Sequence, residues 1–156
     1  MQTPEKQIVA GTGVLRQHDG GLVRFLVRPE QTAHALAVVE IKAWRGVQPP
    51  PHTHQHEDET FLVSEGELFF TIGETTLTAT PGTVVFAPRG IRHGYQIRSE
   101  WARFTMVITP GQFAGYFWEL TEDAPTGQMP PPPQGPPSAA EMARRQQLSA
   151  RYGIVY

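Results

Sequence analysis

Short β-forming segments separated by turn residues make up the sequence from about Gly21 to Thr109, and they limit the folds open to this chain. In the last segment, every second residue from Phe104 to Ile108 is large and apolar, which is typical of a strand. Gly73-Glu74 separates two others and predicts a tight hairpin. Many short strands at roughly ten-residue spacing predict a β-sandwich or barrel, and the lack of helical segments between them argues against βαβ units.

The sequence changes character after Pro110-Gly111. Apolar residues recur there at helical spacing, at Phe113, Tyr116, Phe117 and Leu120. This spacing predicts an amphipathic helix over 112–122 that closes one end of the barrel, with Phe113, Phe117 and Trp118 in its core. We therefore predict a first unit, 1–122, made of the barrel and this helix.

The remaining residues, 123–156, have too few apolar groups for a separate domain. A proline-rich stretch over 125–137 predicts an extended strap. Ser138 and Glu141 have the spacing of a capping box, which predicts a helix that continues to about Arg151. The apolar Ile154-Val-Tyr156 predicts that this segment packs on the barrel or on a dimer partner.

Composition excludes several classes of function. Hydrophobic residues make up 39% and charged residues 18%, which is typical of a globular protein. The net charge of −2, with both signs interspersed, gives no basic surface for nucleic acid or an anionic membrane. Cysteine is absent, which excludes disulfides, thiolate metal sites and thiol catalysis. No leader follows Met1 and no apolar run approaches the ~20 residues of a membrane span, so we expect a cytoplasmic protein.

Three histidines and one glutamate give the strongest indication of chemistry. His52 and His54 are two residues apart, so on a strand both imidazoles project from the same face. Glu59 breaks this parity, which requires a bulge or short turn before it, and His93 comes from a distant strand. Three neutral imidazoles and one carboxylate suit a divalent transition metal ion, with up to about two positions left for water or substrate.

Two stretches around these residues, 46–66 and 82–97, resemble the paired motifs of the cupin superfamily. That pattern is G-x5-H-x-H-x4-E-x6-G followed by G-x5-P-x-G-x2-H-x3-N. Nine of its ten positions are filled at the family spacing, by Gly46, His52, His54, Glu59, Gly66, Gly82, Pro88, Gly90 and His93. The tenth, an Asn that is not a metal ligand, is Ile97 here. More loosely, the whole chain is similar to bacterial single-domain cupins described as quercetin-dioxygenase-like.

The resemblance implies an all-β fold, the double-stranded β-helix (cupin β-barrel or jelly roll), with short C-terminal helices. It also implies one divalent metal ion per chain, of Fe, Mn, Ni, Co, Cu or Zn, bound by His52, His54, Glu59 and His93. The activity implied is dioxygenation of a small aromatic or enolic molecule, with Glu59 as ligand and general base. Cupins of this kind are commonly homodimers, so a homodimer is expected.

Two other functions remain open from the residues alone. The same ligands serve a non-redox cyclase, isomerase or lyase, as in some polyketide cyclases, where the ion acts as a Lewis acid. The other alternative is a module that binds a small molecule without turnover. No helix-turn-helix or other partner domain accompanies the barrel, which makes this function less favoured.

Residues near the four ligands lead to weaker expectations. His56 shares parity with His52 and His54 but lies outside the motif, which favours an exposed or supporting role. Phe61 and Val63 share parity with Glu59, and Tyr95 with His93, so all three are candidates for the substrate pocket as well as for the core. Glu57 and Asp58 are expected at the solvent-exposed rim, and Arg89 and Arg92 in a solvated loop.

Overall fold

The computed structural model describes residues 8–156, so expectations for residues 1–7 lie outside the described part. Twelve strands occur there: β1 Val14–His18, β2 Gly21–Val27, β3 Ala37–Trp44, β4 Thr53–His54, β5 Asp58–Glu65, β6 Leu68–Ile72, β7 Thr75–Ala79, β8 Val84–Ala87, β9 His93–Ile97, β10 Trp101–Thr109, β11 Glu122–Asp123 and β12 Ile154–Val155. Two helices, α1 Ala114–Leu120 and α2 Ala139–Arg151, and two short 3-10 turns, Pro29–Thr32 and Gly111–Phe113, complete the described elements.

The strands form antiparallel sheets that enclose one apolar core. A seven-stranded sheet has the order β11-β1-β2-β3-β10-β5-β8, and a three-stranded sheet has the order β7-β6-β9. In the central strand β10, Ala102, Phe104, Met106 and Ile108 are buried while the residues between them are partly exposed. The predicted β-barrel of the jelly-roll type is therefore confirmed, because alternate residues of each sheet meet in the space between the sheets.

The predicted hairpin at Gly73-Glu74 is present and joins β6 to β7. Gly73 has a φ of 56°, a conformation that glycine adopts without steric cost. Two short strands were missed by the sequence analysis at the N-terminal side of the sheet: β1, and β11, which pairs with it.

The helix after the barrel is shorter than predicted. Residues 111–113 form a 3-10 turn, α1 then runs from Ala114 to Leu120, and the chain is extended again at Thr121. The Thr121 hydroxyl donates to the Phe117 carbonyl at 2.7 Å, a side-chain bond that competes with a further helical turn. Phe113 is buried, whereas Trp118, predicted as core, is 36% exposed and packs edge-on against Phe25.

The predicted capping box of α2 is confirmed. The Ser138 hydroxyl accepts from the backbone of Glu141 at 3.2 Å, and the Glu141 carboxylate accepts from the backbone of Ser138 at 2.7 Å. Beyond α2, β12 pairs antiparallel with β4, with Ile154 opposite His54 and Val155 opposite Thr53. Leu148 and Ile154 are buried against the barrel core. Among residues 8–156, no helix is long and apolar enough to cross a membrane.

Candidate metal centre

Three strands bring the four predicted ligands together. His54 ends β4, Glu59 lies near the start of β5, and His93 begins β9. His52 and His93 form an antiparallel bridge in which each backbone N–H donates to the other's carbonyl at 2.8 Å. Residues 55–57 leave the strand between β4 and β5, which is the predicted break in parity that turns Glu59 inward.

The donor atoms of the four residues form a compact buried group. One nitrogen or carboxylate oxygen from each of His52, His54, Glu59 and His93 lies within 4.8 Å of the other three. The shortest separations are 3.0 Å from His93 Nε2 to Glu59 Oε2 and 3.1 Å from His52 Nε2 to His54 Nε2. These four residues could therefore hold one metal ion.

The orientation of the imidazoles fits a cation at the centre of the group. His52 Nδ1 lies 2.8 Å from the Pro50 carbonyl, and His93 Nδ1 lies 3.1 Å from the Ile91 carbonyl. A carbonyl only accepts, so each Nδ1 carries the proton and each Nε2 lone pair points inward. Glu59 Oε1 is buried, forms no well-aligned hydrogen bond among the described residues, and lies 3.3 Å from His54 Nε2. Inward imidazole lone pairs around a buried carboxylate are costly to bury unless a cation satisfies them.

Glu57 differs from the expectation of a solvent-exposed residue, because it is only 3% exposed. Its Oε2 lies 3.7 Å from His54 Nδ1, on the far side of the ring from the other ligands. A buried carboxylate at this nitrogen favours the tautomer with a free Nε2. Asp58 instead pairs with Arg89 at 2.9 Å at the barrel rim.

The pKa values of two ligands favour the protonation states that bind metal. Burial lowers the pKa of His52 to about 4. Burial would raise the pKa of Glu59, but the neighbouring His54 and His93 imidazoles outweigh it and hold that pKa at about 2. Burial also opposes a charge on His54, but the Glu57 and Glu59 carboxylates outweigh it and raise the pKa of His54 to about 9. A metal ion would therefore bind an ionised Glu59 and a neutral His52, and would displace a proton from His54.

The group opens onto a cavity. His52, Glu59 and His93 form part of its wall, and most of the remaining wall is aromatic or aliphatic. Phe61 and Tyr95, two of the three candidate pocket residues, line this cavity. Val63 is buried in the core and is not part of the cavity wall. His56 is exposed and lies outside the group of four.

Sequence reasoning missed part of the cavity wall. His18 at the end of β1, Arg145 on α2, and Ile154 and Tyr156 after it also line the cavity. The Tyr156 ring lies 6.2 Å from the His52 ring, and its hydroxyl is 2.9 Å from the Ser149 hydroxyl. The apolar residues at 154–156 suggested docking, but no local signal shows that they dock beside His52.

The comparisons with known proteins agree with this architecture. Residues 39–108 match the family model described as a cupin domain. Quercetin 2,3-dioxygenase of Bacillus subtilis is 25% identical over 99 residues, which cover 64% of this chain but only 29% of the relative. The chain therefore spans less than a third of that relative's length.

Many solved structures share the fold, and two serve as examples. KdgF from Halomonas sp. has a TM-score of 0.57 at 20% identity, over 64% of this chain and 91% of that one. Oxalate decarboxylase from Bacillus subtilis has a TM-score of 0.54 at 23% identity, over 69% of this chain and 32% of that one. The chain thus has a cupin fold with enzymes among its relatives, and a buried His/Glu group that could bind a metal ion.

Proposed function

We propose that this protein is a metal-dependent dioxygenase that acts on a small aromatic or enolic molecule. The observation that carries the proposal is the junction of the buried His/Glu group with a largely apolar cavity whose wall includes several aromatic rings. The similarity to quercetin 2,3-dioxygenase supports the same reaction class.

The cavity wall favours a planar substrate. Phe61, Tyr95, Phe113 and Phe117 all line it, and their ring faces and edges suit a flat aromatic or enolic molecule. Binding in this cavity buries apolar surface of both the substrate and the protein. Each Å² of buried apolar surface contributes about 25 cal/mol of favourable free energy. A small, highly charged substrate would leave this apolar wall unused.

The residues of the group have distinct roles in this proposal. A divalent metal ion held by His52, His54, Glu59 and His93 would act as a Lewis acid and, if redox-capable, would support chemistry with dioxygen. Glu59 takes the proton of the substrate hydroxyl at Oε1, the buried oxygen that forms no well-aligned hydrogen bond with residues 8–156. The carbonyls of Pro50 and Ile91 hold the His52 and His93 rings in the orientation that leaves Nε2 free.

Tyr95 favours a second candidate, a non-redox cyclase, isomerase or lyase. Burial raises the pKa of its phenol, which therefore stays protonated at neutral pH. A phenol that lines the cavity could donate a hydrogen bond to a substrate carbonyl, a useful group for Lewis-acid chemistry. This reaction would proceed with redox-silent Zn²⁺.

Oxygen consumption separates the two candidates. Protein reconstituted with Fe, Mn, Co or Ni is tested in an oxygen electrode against a panel of flavonols, other enols and catechols. We expect uptake with at least one substrate, and we expect Glu59→Gln to lower kcat by about 100-fold or more. Glu67→Gln, at an exposed carboxylate outside the site, is the matched control and should keep full activity. Turnover that is equally fast without oxygen, or with Zn²⁺ alone, would assign the protein to the non-redox class.

A further inference from the structure

The cavity at the metal centre adjoins an outer cleft, and six residues mark where the two meet. These residues line both spaces: Val47, Gln48, Pro49, Tyr116, Arg145 and Tyr156. The outer cleft is also lined by the proline-rich residues 130–137, whereas none of the four metal-site residues lines it. Arg145 therefore lies at the mouth of the cavity, away from the metal centre.

Arg145 is partly buried but has no bonded partner in the described part of the chain. Two other arginines of α2, Arg144 and Arg151, both bond to Glu119. Arg145 forms no ion pair and no side-chain hydrogen bond with any residue from 8 to 156. A guanidinium in a partly desolvated position gains from a bidentate bond to a carboxylate.

The charged residues of the cavity wall also favour an anion at Arg145. Apart from the histidines, Glu59 and Arg145 are the two charged residues in the described wall. Asp19 and Glu141 line the outer cleft but not the cavity, so neither offers a carboxylate inside it. His18, also in the wall, has a buried Nδ1 without a hydrogen-bond partner among residues 8–156.

We propose that Arg145 binds an anionic group of the substrate at the mouth of the cavity while the substrate hydroxyl faces Glu59. The inference rests on the proposed function and narrows its substrate class to planar enols or hydroxyaromatics that carry a carboxylate. It also gives the segment after the barrel a role in specificity. Arg145 and Tyr156 both lie outside the matched region, 39–108.

Binding of a matched pair of probes tests this role without turnover. Catechol and 3,4-dihydroxybenzoate share the two hydroxyls and differ in one carboxylate. Their Kd values are measured by calorimetry under nitrogen, with cobalt-loaded protein. We define the preference as the Kd of catechol divided by the Kd of 3,4-dihydroxybenzoate. Arg145→Gln should lower it about tenfold relative to wild type, with the Kd of catechol unchanged.

Two control variants make the result specific. Arg144→Gln should keep the wild-type preference, because Arg144 does not line the cavity. Arg145→Lys retains the charge and should keep part of the preference, which also covers the case that Arg145→Gln does not fold. A preference that is the same in wild type and Arg145→Gln would overturn the proposal, as would equal binding of both probes by the wild type.

The outcome is separable from that of the proposed function. A preference that depends on Arg145, without oxygen uptake on any substrate, would support the anion site and refute the dioxygenase. Oxygen uptake together with an unchanged preference in Arg145→Gln would support the dioxygenase and refute the anion site.

Discussion

The three imidazoles of the candidate metal centre are oriented in two different ways. His52 and His93 use the same local device, because each Nδ1 bonds the carbonyl of the residue two positions earlier, Pro50 or Ile91. His54 faces the side chain of Glu57 instead. Backbone carbonyls survive any substitution, whereas Glu57 can be replaced. His54 is therefore the ring whose orientation mutation can test.

Removal of one ligand should release the metal ion. His54→Ala and His93→Ala should each lose most of the bound metal, because three remaining donors leave a buried ion under-coordinated. His56→Ala is the matched control, since His56 is exposed and outside the group, and it should retain the metal. Elemental analysis of each variant, purified without a metal-binding tag, measures its metal content. Full metal content in His93→Ala would contradict the assignment.

Glu57→Gln should weaken metal binding without removing a donor. Mutation of a residue that orients a ligating histidine typically lowers metal affinity by about 10- to 100-fold. We expect a loss of affinity in this range for Glu57→Gln. Competition with a chelator of known affinity gives the Kd. Glu67→Gln is the control for charge, because Glu67 is exposed. An unchanged Kd in Glu57→Gln would show that Glu57 does not orient His54.

At the scale of elements, the short strand β4 carries His54 and gains its pairing from the segment after the barrel. β12 pairs with it at Thr53 and His54, and the Gln55 N–H donates to the Gly153 carbonyl at 3.0 Å. Gly153 has a φ of 69°, and a Cβ there would lie 2.7 Å from the His56 ring. A glycine at this position thus permits the turn that leads from α2 into β12.

Removal of residues 124–156 should destabilise the barrel. A chain cut after Asp123 lacks β12 and the buried Leu148 and Ile154. Burial of two aliphatic side chains contributes about 3 kcal/mol or more, so we expect a Tm lower by roughly 6–12 °C. Point variants give a matched pair, in which buried Ile154→Ala should lower Tm clearly more than half-exposed Val155→Ala. Unchanged melting and solution mass after truncation would show that the segment is dispensable.

At the scale of the whole molecule, the outer face of the large sheet carries an apolar patch at its β8 edge. Leu62 on β5 and Val84 and Phe86 on the edge strand β8 are 45%, 61% and 56% exposed. Leu62 and Val84 are directly opposite each other in the β5–β8 ladder, so the three side chains share one face. Among the described strands β8 is at the edge of the sheet, and an exposed apolar patch at a sheet edge favours association.

The expected homodimer is tested at this face. We predict a dimer in solution that uses the patch of Leu62, Val84 and Phe86. Phe86→Glu places a charge in the patch and should shift the mass measured by light scattering from dimer to monomer. Thr76→Glu, at an exposed position of the three-stranded sheet, is the control and should leave the mass unchanged. A monomeric wild type would refute the dimer, and a dimeric Phe86→Glu would refute this interface.

The sequence by itself determined the features that depend on spacing. Strand alternation, as in Phe104 to Ile108, gave the β-barrel, since side chains of a strand alternate between its faces. The even spacing of His52 and His54 predicted that they share one face of a strand. The odd offset of Glu59 predicted the turn before it. The Ser138–Glu141 box gave the start of α2, because a helix cap is a contact between residues three apart.

Only the tertiary structure decided the features that join distant segments. Nothing near Glu57 in the sequence distinguishes it from Asp58. The turn after β4 buries Glu57 beside His54 and leaves Asp58 to pair with Arg89. Arg145 and Tyr156 reach the cavity because β12 pairs with β4, which lies about one hundred residues earlier in the chain. Such contacts depend on how closed sheets bring segments together, and the local residue pattern carries no record of them.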